Sequence, residues 1–365
     1  MERRSYSPVG FLERFVAVET RAAALIVGAA LAGVLAATFG QVYLDNSVTH
    51  VLSELAIGGF FLLVGLELRR EFASGVLSGI TLRVSLAAAA FGMLIPAVIY
   101  SFGAPAAARD GWVAVVATDI ALAAAVTTLG GFSRKLRALL LTVAVLDDLG
   151  GLIALATTGK SPELMWLALT VLAIALYAWG IRQFNLGEKT VIVTTAIVVV
   201  LMLKAGLHPS LGAFAVGFTA PNFDPENPSV SERVQERVHP YVAAVLLPIF
   251  VFLHTLVPIE APRGAPMSLV WVTIAAIVGG KVLGIGGVLF VCRRRLQIAA
   301  GEAIAVGLAA AAALTVALIG VAATLDETPY ESAVSLGVLA ATAIAFVLGI
   351  FAGRLTADRQ ADEPS

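Results

Sequence analysis

Windows of about 20 mostly apolar residues recur along this chain, separated by breaks too short to hold a soluble folded unit. A helix needs about that length to cross the hydrocarbon of a bilayer, whereas barrel strands are about half as long and alternate in polarity. The pattern therefore predicts an all-α polytopic membrane protein. Apolar windows fall at 19–39, 48–68, 84–102, 112–130, 136–157, 163–181, 189–203, 207–219, 239–259, 268–291, 300–323 and 332–353, about twelve transmembrane helices. The seventh and eighth are short and leave open a single re-entrant pair. Charged residues make up 13 % of the chain, against about 25 % in ordinary soluble domains. No basic run is long enough to suggest a nucleic-acid partner, and membrane lipid is the expected surrounding.

Topology follows from where the basic residues fall. With the first segment placed inside, nineteen Lys and Arg collect on one side and only Arg109, Lys160, Lys204 and Arg263 on the other. Such a bias supports cytoplasmic termini in a cell inner (plasma) membrane protein. The expected division is a cytoplasmic N-terminal segment 1–18, a transmembrane domain 19–353 and a cytoplasmic tail 354–365. The first apolar run lacks a convincing small-residue cleavage site and reads as a retained span. Pro221 to Val238 reads as a polar linker, and the tail from Ala357 as disordered. Cys292, the single cysteine, excludes an internal disulfide and a thiolate metal site. Spans 3–5 and 10–12 begin on opposite sides, so if they are repeats they are inverted-topology repeats, a transporter architecture.

Ionisable residues inside the apolar windows are few: Glu54, Glu67, Asp119, Asp147, Asp148, His254 and Lys281. A single Asp at the centre of a span costs about 2.5 to 3.5 kcal/mol, and such residues usually belong to an ion or proton path. Asp147 and Asp148 are adjacent, so on a helix they point about 100° apart and cannot act as one bidentate group. Lys281, after Gly279 and Gly280, lies too deep to reach either surface and needs a counter-charge, for which Asp147 or Asp148 is the natural choice. The bland reading of that pair is a static salt bridge. One ammonium, however, cannot neutralise both aspartates and Asp119 as well, and surplus buried carboxylates must take up protons or metal cations. Hard cations such as sodium or lithium suit carboxylate and carbonyl oxygens. Carboxylates held away from water beside like charge also retain protons, so the two compete for one site. Asp119, after Thr118, is read either as a polar residue bonded to nearby backbone or as a carboxylate facing the freed N-terminus of a broken helix, although no proline marks a break there. Glu54 reads as interfacial or functional, Glu67 as a cytoplasmic salt-bridge residue, and His208 as a surface histidine able to titrate near neutrality.

Taken together, FFLLVGLELRREF (Phe60–Phe72), ATDIA (Ala117–Ala121), VLDDLGG (Val145–Gly151), LHPSLGA (Leu207–Ala213), VHPYVAAVLLPIF (Val238–Phe250) and GKVLGI (Gly280–Ile285) resemble the NhaA-type sodium/proton antiporter family. The resemblance implies a twelve-helix NhaA-like fold with inverted repeats and crossed, interrupted fourth and eleventh helices. It implies electrogenic exchange of two protons for each sodium exported, with no cofactor and no enzymatic activity. It further assigns cation binding to Asp148, proton exchange or Lys281 pairing to Asp147, and charge compensation at the helix crossing to Asp119 with Thr118. Glu54, Glu67 and His208 match acidic, pH-responsive and histidine positions of the family, respectively. Three departures stand out. Ala311, Ala312, Ala313, Leu314 and Thr315 replace a glycine-containing pattern with the strongest helix former, leaving the second interruption open. His254 stands about where the family has Asn, with a possible effect on site polarity or pH response. The loop from Thr38 to Ser47 is short, leaving a possible homodimer open. Two rival readings remain: a sodium-coupled solute symporter, for which no Arg inside a span offers an anchor, and a diverged non-transporting sensor or structural paralogue, encouraged by the alanines.

Overall fold

The computed structural model describes residues 8–40, 46–73, 79–158, 163–184, 187–220, 230–256, 264–325 and 328–362; within these, some side chains, including those of Asp148 and Leu149, lie outside the described residues. Among the described residues every regular element is helical. Hydrophobicity dictates this outcome, because a backbone polar group left unpaired in hydrocarbon costs several kcal/mol and helices satisfy theirs internally.

The order is α1 (Pro8–Gly40), α2 (Asn46–Ala73), α3 (Gly79–Gly103), a 3-10 turn (Ala106–Gly111), α4 (Trp112–Val116), α5 (Ile120–Leu129), α6 (Arg134–Thr158), α7 (Leu164–Gln183), α8 (Glu188–Ala205) and α9 (Pro209–Thr219). There follow α10 (Val230–Tyr241), α11 (Leu247–His254), α12 (Met267–Ile274), α13 (Gly287–Leu296), α14 (Ala300–Ala310), α15 (Thr315–Leu325) and α16 (Glu331–Asp362). Among the described residues, six continuous helical segments are long and apolar enough to cross a membrane. Two bent pairs raise the number to eight: α4 with its preceding turn meets α5 at 54°, and α14 meets α15 at 49°.

Two groups of helices are visible in the packing. In one, α2 crosses α9 backbone to backbone: a Cβ on Gly65 would sit 2.4 Å from the Phe214 carbonyl oxygen, and one on Gly217 would sit 2.4 Å from that of Leu62. Only glycine permits this approach. α9 follows α8 through Gly206, whose φ of +75° closes α8 in the left-handed region that glycine adopts freely. The seventh and eighth apolar windows are therefore two helices with a sharp turn between them. In the other group α3 lies against the span that carries Lys281, where Gly284 approaches the Phe91 carbonyl and Gly280 approaches Pro96. That span is not a regular α-helix. Wider π turns at Ala275–Gly279 and Val282–Gly286 bracket Gly280 and Lys281, a distortion frequent at functional positions.

Two expectations for polar segments are corrected. The second half of the supposed linker is helix α10, strongly amphipathic, whose Arg233 and Arg237 pair with Glu188 at the start of α8 at 3.3 and 2.7 Å; residues 221–229 lie outside the described ones. The tail is helical to Asp362, because α16 continues unbroken from the bundle. α1 likewise begins at Pro8, ahead of the first apolar window.

Candidate functional site

The site is built where the two bent pairs meet. A helix that stops inside a bundle leaves N–H groups at one new end and carbonyls at the other, and each must find a partner. Here the side chains of Asp119, Lys281, Thr118 and Thr342 supply partners for several of these groups. Asp119 is the N-cap of α5: its Oδ1 accepts from Leu122 N at 3.1 Å, while its Oδ2 accepts from Thr315 N at 3.1 Å and Thr315 Oγ1 at 2.7 Å. One carboxylate thus faces the positive ends of both second half-helices, where a negative charge is favoured. Its own N–H donates to the Ala312 carbonyl at 3.0 Å, tying the two breaks together.

The carbonyl ends are met by donors. Lys281 Nζ donates to the Val116 carbonyl at the end of α4, and Thr118 Oγ1 lies 3.0 Å from the Ala310 carbonyl at the end of α14, with one proton to divide between that carbonyl and Asp147 Oδ2. Thr342 of α16 reaches the Ala313 carbonyl at 2.5 Å. A cation therefore sits at a helix C-terminal end and an anion at the N-terminal ends, each in its favourable place.

The question left open by Ala311–Ala313 is answered: the span is interrupted. Ala311 has φ −78° and ψ −4°, regular helix resumes at Thr315, and among the described residues Gln297 is the one non-glycine with positive φ. The break uses no left-handed backbone, so glycine is not required. Small size is required, since Ala309 to Ala313 are all buried at the crossing.

Lys281 and Asp147 are both fully buried and form an ion pair through Asp147 Oδ2. Thr118 Oγ1 lies 2.5 Å from the same oxygen and accepts from Lys281 Nζ at 3.0 Å. The ammonium thus has three oxygen partners, matching its three protons. Asp147 Oδ1 accepts no hydrogen bond from the described residues and lies on the side of Gly92 of α3, where an added Cβ would be 3.8 Å away. Sequence reasoning paired Lys281 with one of two aspartates, and the geometry selects Asp147. Asp148 follows on α6, its side chain outside the described residues.

The accessory residues are more dispersed. Glu54 and Glu67 are half-buried on α2, about 20 Å apart along its axis. His208 precedes α9, with Nδ1 2.7 Å from Ser210 Oγ. His254 ends α11 with its ring against Phe250 and Nδ1 2.9 Å from the Phe250 carbonyl, which can only accept, so Nδ1 carries the proton. Phe250 in turn lines a small cavity with Ile57, Phe60, Asp119 and Thr315, between α2, α11 and the crossing. Thr315 and Thr342 were not singled out as site residues from the sequence. Thr315, the first polar residue after an apolar run, carried a faint cap signal; Thr342 carried none.

The profile of the Na+/H+ antiporter 1 family matches residues 17–352. The chain is 30 % identical to Na(+)/H(+) antiporter NhaA 1 of Mycolicibacterium gilvum, over 87 % of this chain and 59 % of that protein. It is 37 % identical to Na(+)/H(+) antiporter NhaA of Serratia proteamaculans, over 62 % of this chain and 60 % of that one. To the Yersinia enterocolitica protein of the same name it is 32 % identical, over 77 % and 75 %. The chain thus spans about three fifths of the length of the first two. In fold it is similar to the sodium proton antiporter MjNhaP1 of Methanocaldococcus jannaschii, with a TM-score of 0.60 at 14 % identity over 97 % of both chains. A profile match over most of the sequence, together with helices long and apolar enough to cross a bilayer, makes this a multi-pass membrane protein that belongs to the Na+/H+ antiporter 1 family.

Proposed function

We propose that the chain is an electrogenic sodium or lithium/proton antiporter that exports the metal cation from the cell and admits protons. The observation that carries this reading is the fully buried Asp147–Lys281 pair set against two interrupted helices, with Asp148 next in sequence and Asp119 already committed to helix ends. Acid outnumbers base there, and the surplus carboxylate needs a proton or a cation as its counter-ion. In this proposal Asp148 binds the cation with Asp147, and Asp147 exchanges a proton. Lys281 keeps the Val116 carbonyl and Thr118 as partners when Asp147 is protonated, so the ammonium is not stranded and the pair can open. Protons and sodium compete for the same oxygens, and no separate coupling device is needed. A net charge moved in each cycle lets membrane voltage drive export, at about 2.3 kcal/mol per charge per 100 mV.

The finer architecture belongs to the same proposal: twelve spans, with 3–5 and 10–12 as inverted repeats, both termini cytoplasmic, in the inner membrane, with segment 1–18, domain 19–353 and tail 354–365. Each proposed repeat has a bent pair as its middle member, bent 54° in one and 49° in the other, which supports the repeat reading. The sensor reading drew its support from Ala311–Ala313, and those alanines accommodate the break. Glu54, Glu67, His208 and His254 are proposed as accessory, pH-responsive groups, and the homodimer stays an open alternative, since the short loop from Thr38 to Ser47 does not assure it.

Everted vesicles from cells expressing the full chain test the site. Sodium-dependent proton release is expected in the wild type and is expected to fall to background in Asp148→Ala and Asp147→Ala; full release in Asp148→Ala rejects the assignment.

A further inference from the structure

Three chain-distant corners converge at one end of the bundle. The turn between α5 and α6 meets the turn between α13 and α14 where Lys135 Nζ donates to the Gln297 carbonyl at 3.3 Å, and it meets α16, about two turns before that helix ends, where Arg354 Nε donates to the Leu129 carbonyl at 3.3 Å. Gly301 closes the triangle, an added Cβ there falling 3.3 Å from Thr356. Arg134, Lys135, Arg294, Arg295 and Arg354 are exposed at these corners, and among the described residues none of the five is in an ion pair. Glu302 beside them is buried and turns its Oε2 to the Ala299 N–H at 2.6 Å. The contrast lies with Arg233 and Arg237, which share Glu188.

Directly beneath this basic layer the surface is apolar. Val291, two residues before the arginine run, is 79 % exposed, and Phe351, one turn before Arg354, is 61 % exposed. Val291 and Phe351 lie in spans long and apolar enough to cross a bilayer, so the cations stand at the edge of the apolar belt, at the depth of lipid headgroups. A phospholipid with an anionic headgroup matches both, its phosphate at the guanidinium level and its acyl chains along α13 and α16.

We infer that this junction is a binding surface for anionic phospholipid headgroups, holding lipid against α13 and α16. Each exposed Lys or Arg near a charged leaflet strengthens such binding about fivefold. The test uses the full-length protein in nanodiscs of phosphatidylcholine with and without phosphatidylglycerol, with retained lipid counted by native mass spectrometry. The wild type retains phosphatidylglycerol in preference, and Arg294→Gln/Arg295→Gln/Arg354→Gln loses tenfold or more of that preference. Arg233→Gln/Arg237→Gln keeps it. An unchanged preference in the triple variant overturns the inference. So does an equal loss in the double variant, which assigns the effect to overall charge, or displacement of the lipid by soluble polyglutamate at matched charge. If the glutamine variant does not fold, Arg294→Lys/Arg295→Lys/Arg354→Lys serves instead: it keeps the preference, and loss of it there overturns the inference. Lipid retention is read without transport, so the result is independent of sodium/proton exchange.

Discussion

Lys281 is fully enclosed, with a carboxylate, a hydroxyl and a carbonyl around its ammonium. Removing one member of a buried ion pair leaves the other uncompensated, typically at about 3–5 kcal/mol. Lys281→Met is therefore expected to lower thermal stability in detergent by about that amount, while Asp147→Leu/Lys281→Met recovers most of it and exchanges nothing. If the double variant is no more stable than Lys281→Met, the pair is not the dominant contact. Asp119 makes a separate prediction. It receives three hydrogen bonds from two helix starts, so Asp119→Ala is expected to cost about 2–4 kcal/mol and Asp119→Asn roughly half that, as scored by unfolding midpoints. Much of this was legible in the sequence. Asp119, Asp147 and Lys281 stand out because a charge in an apolar run demands a counterpart. Their partners were less legible: Val116, Ala310 and Ala312 act through carbonyls, which every residue possesses and no side chain advertises.

Among the helices, composition predicted where most spans lie, since length and apolarity are written directly in the chain. The breaks were implied by the family resemblance, and no local residue signal marked them. Neither Ala117 nor Ala312 carries the proline or left-handed glycine that usually marks one, and the α4–α5 and α14–α15 interruptions exist because each satisfies the other. That reciprocity is a long-range property. The α2–α9 crossing rests instead on local size. Gly65→Val would place carbon against the Phe214 carbonyl, which is backbone and cannot swing aside, and about 1–3 kcal/mol of overpacking is expected along with loss of exchange. Gly28, with nothing within 4 Å of an added Cβ, is the control: Gly28→Ala should leave both unchanged.

For the molecule as a whole, the proposed competition between protons and sodium fixes the sign of the expected pH response. In that proposal protons hold the shared oxygens at low pH and exclude sodium, and a rise in pH opens them to the cation. Exchange is therefore expected to increase across about pH 6.5 to 8.5, and a flat profile over that range counts against a shared site. The interlocked breaks have a further consequence, in the time domain. Residues 117–119 and 312–314 are not helical, and unwound segments ordinarily trade their amide protons with water within moments. Here the N–H of Asp119 in the first segment, and those of Leu122 and Thr315 in the first turns of the helices that follow, each point at an enclosed oxygen. Deuterium should therefore enter these positions about as slowly as it enters the middle of a helix, making the joint one of the last places in the protein to loosen.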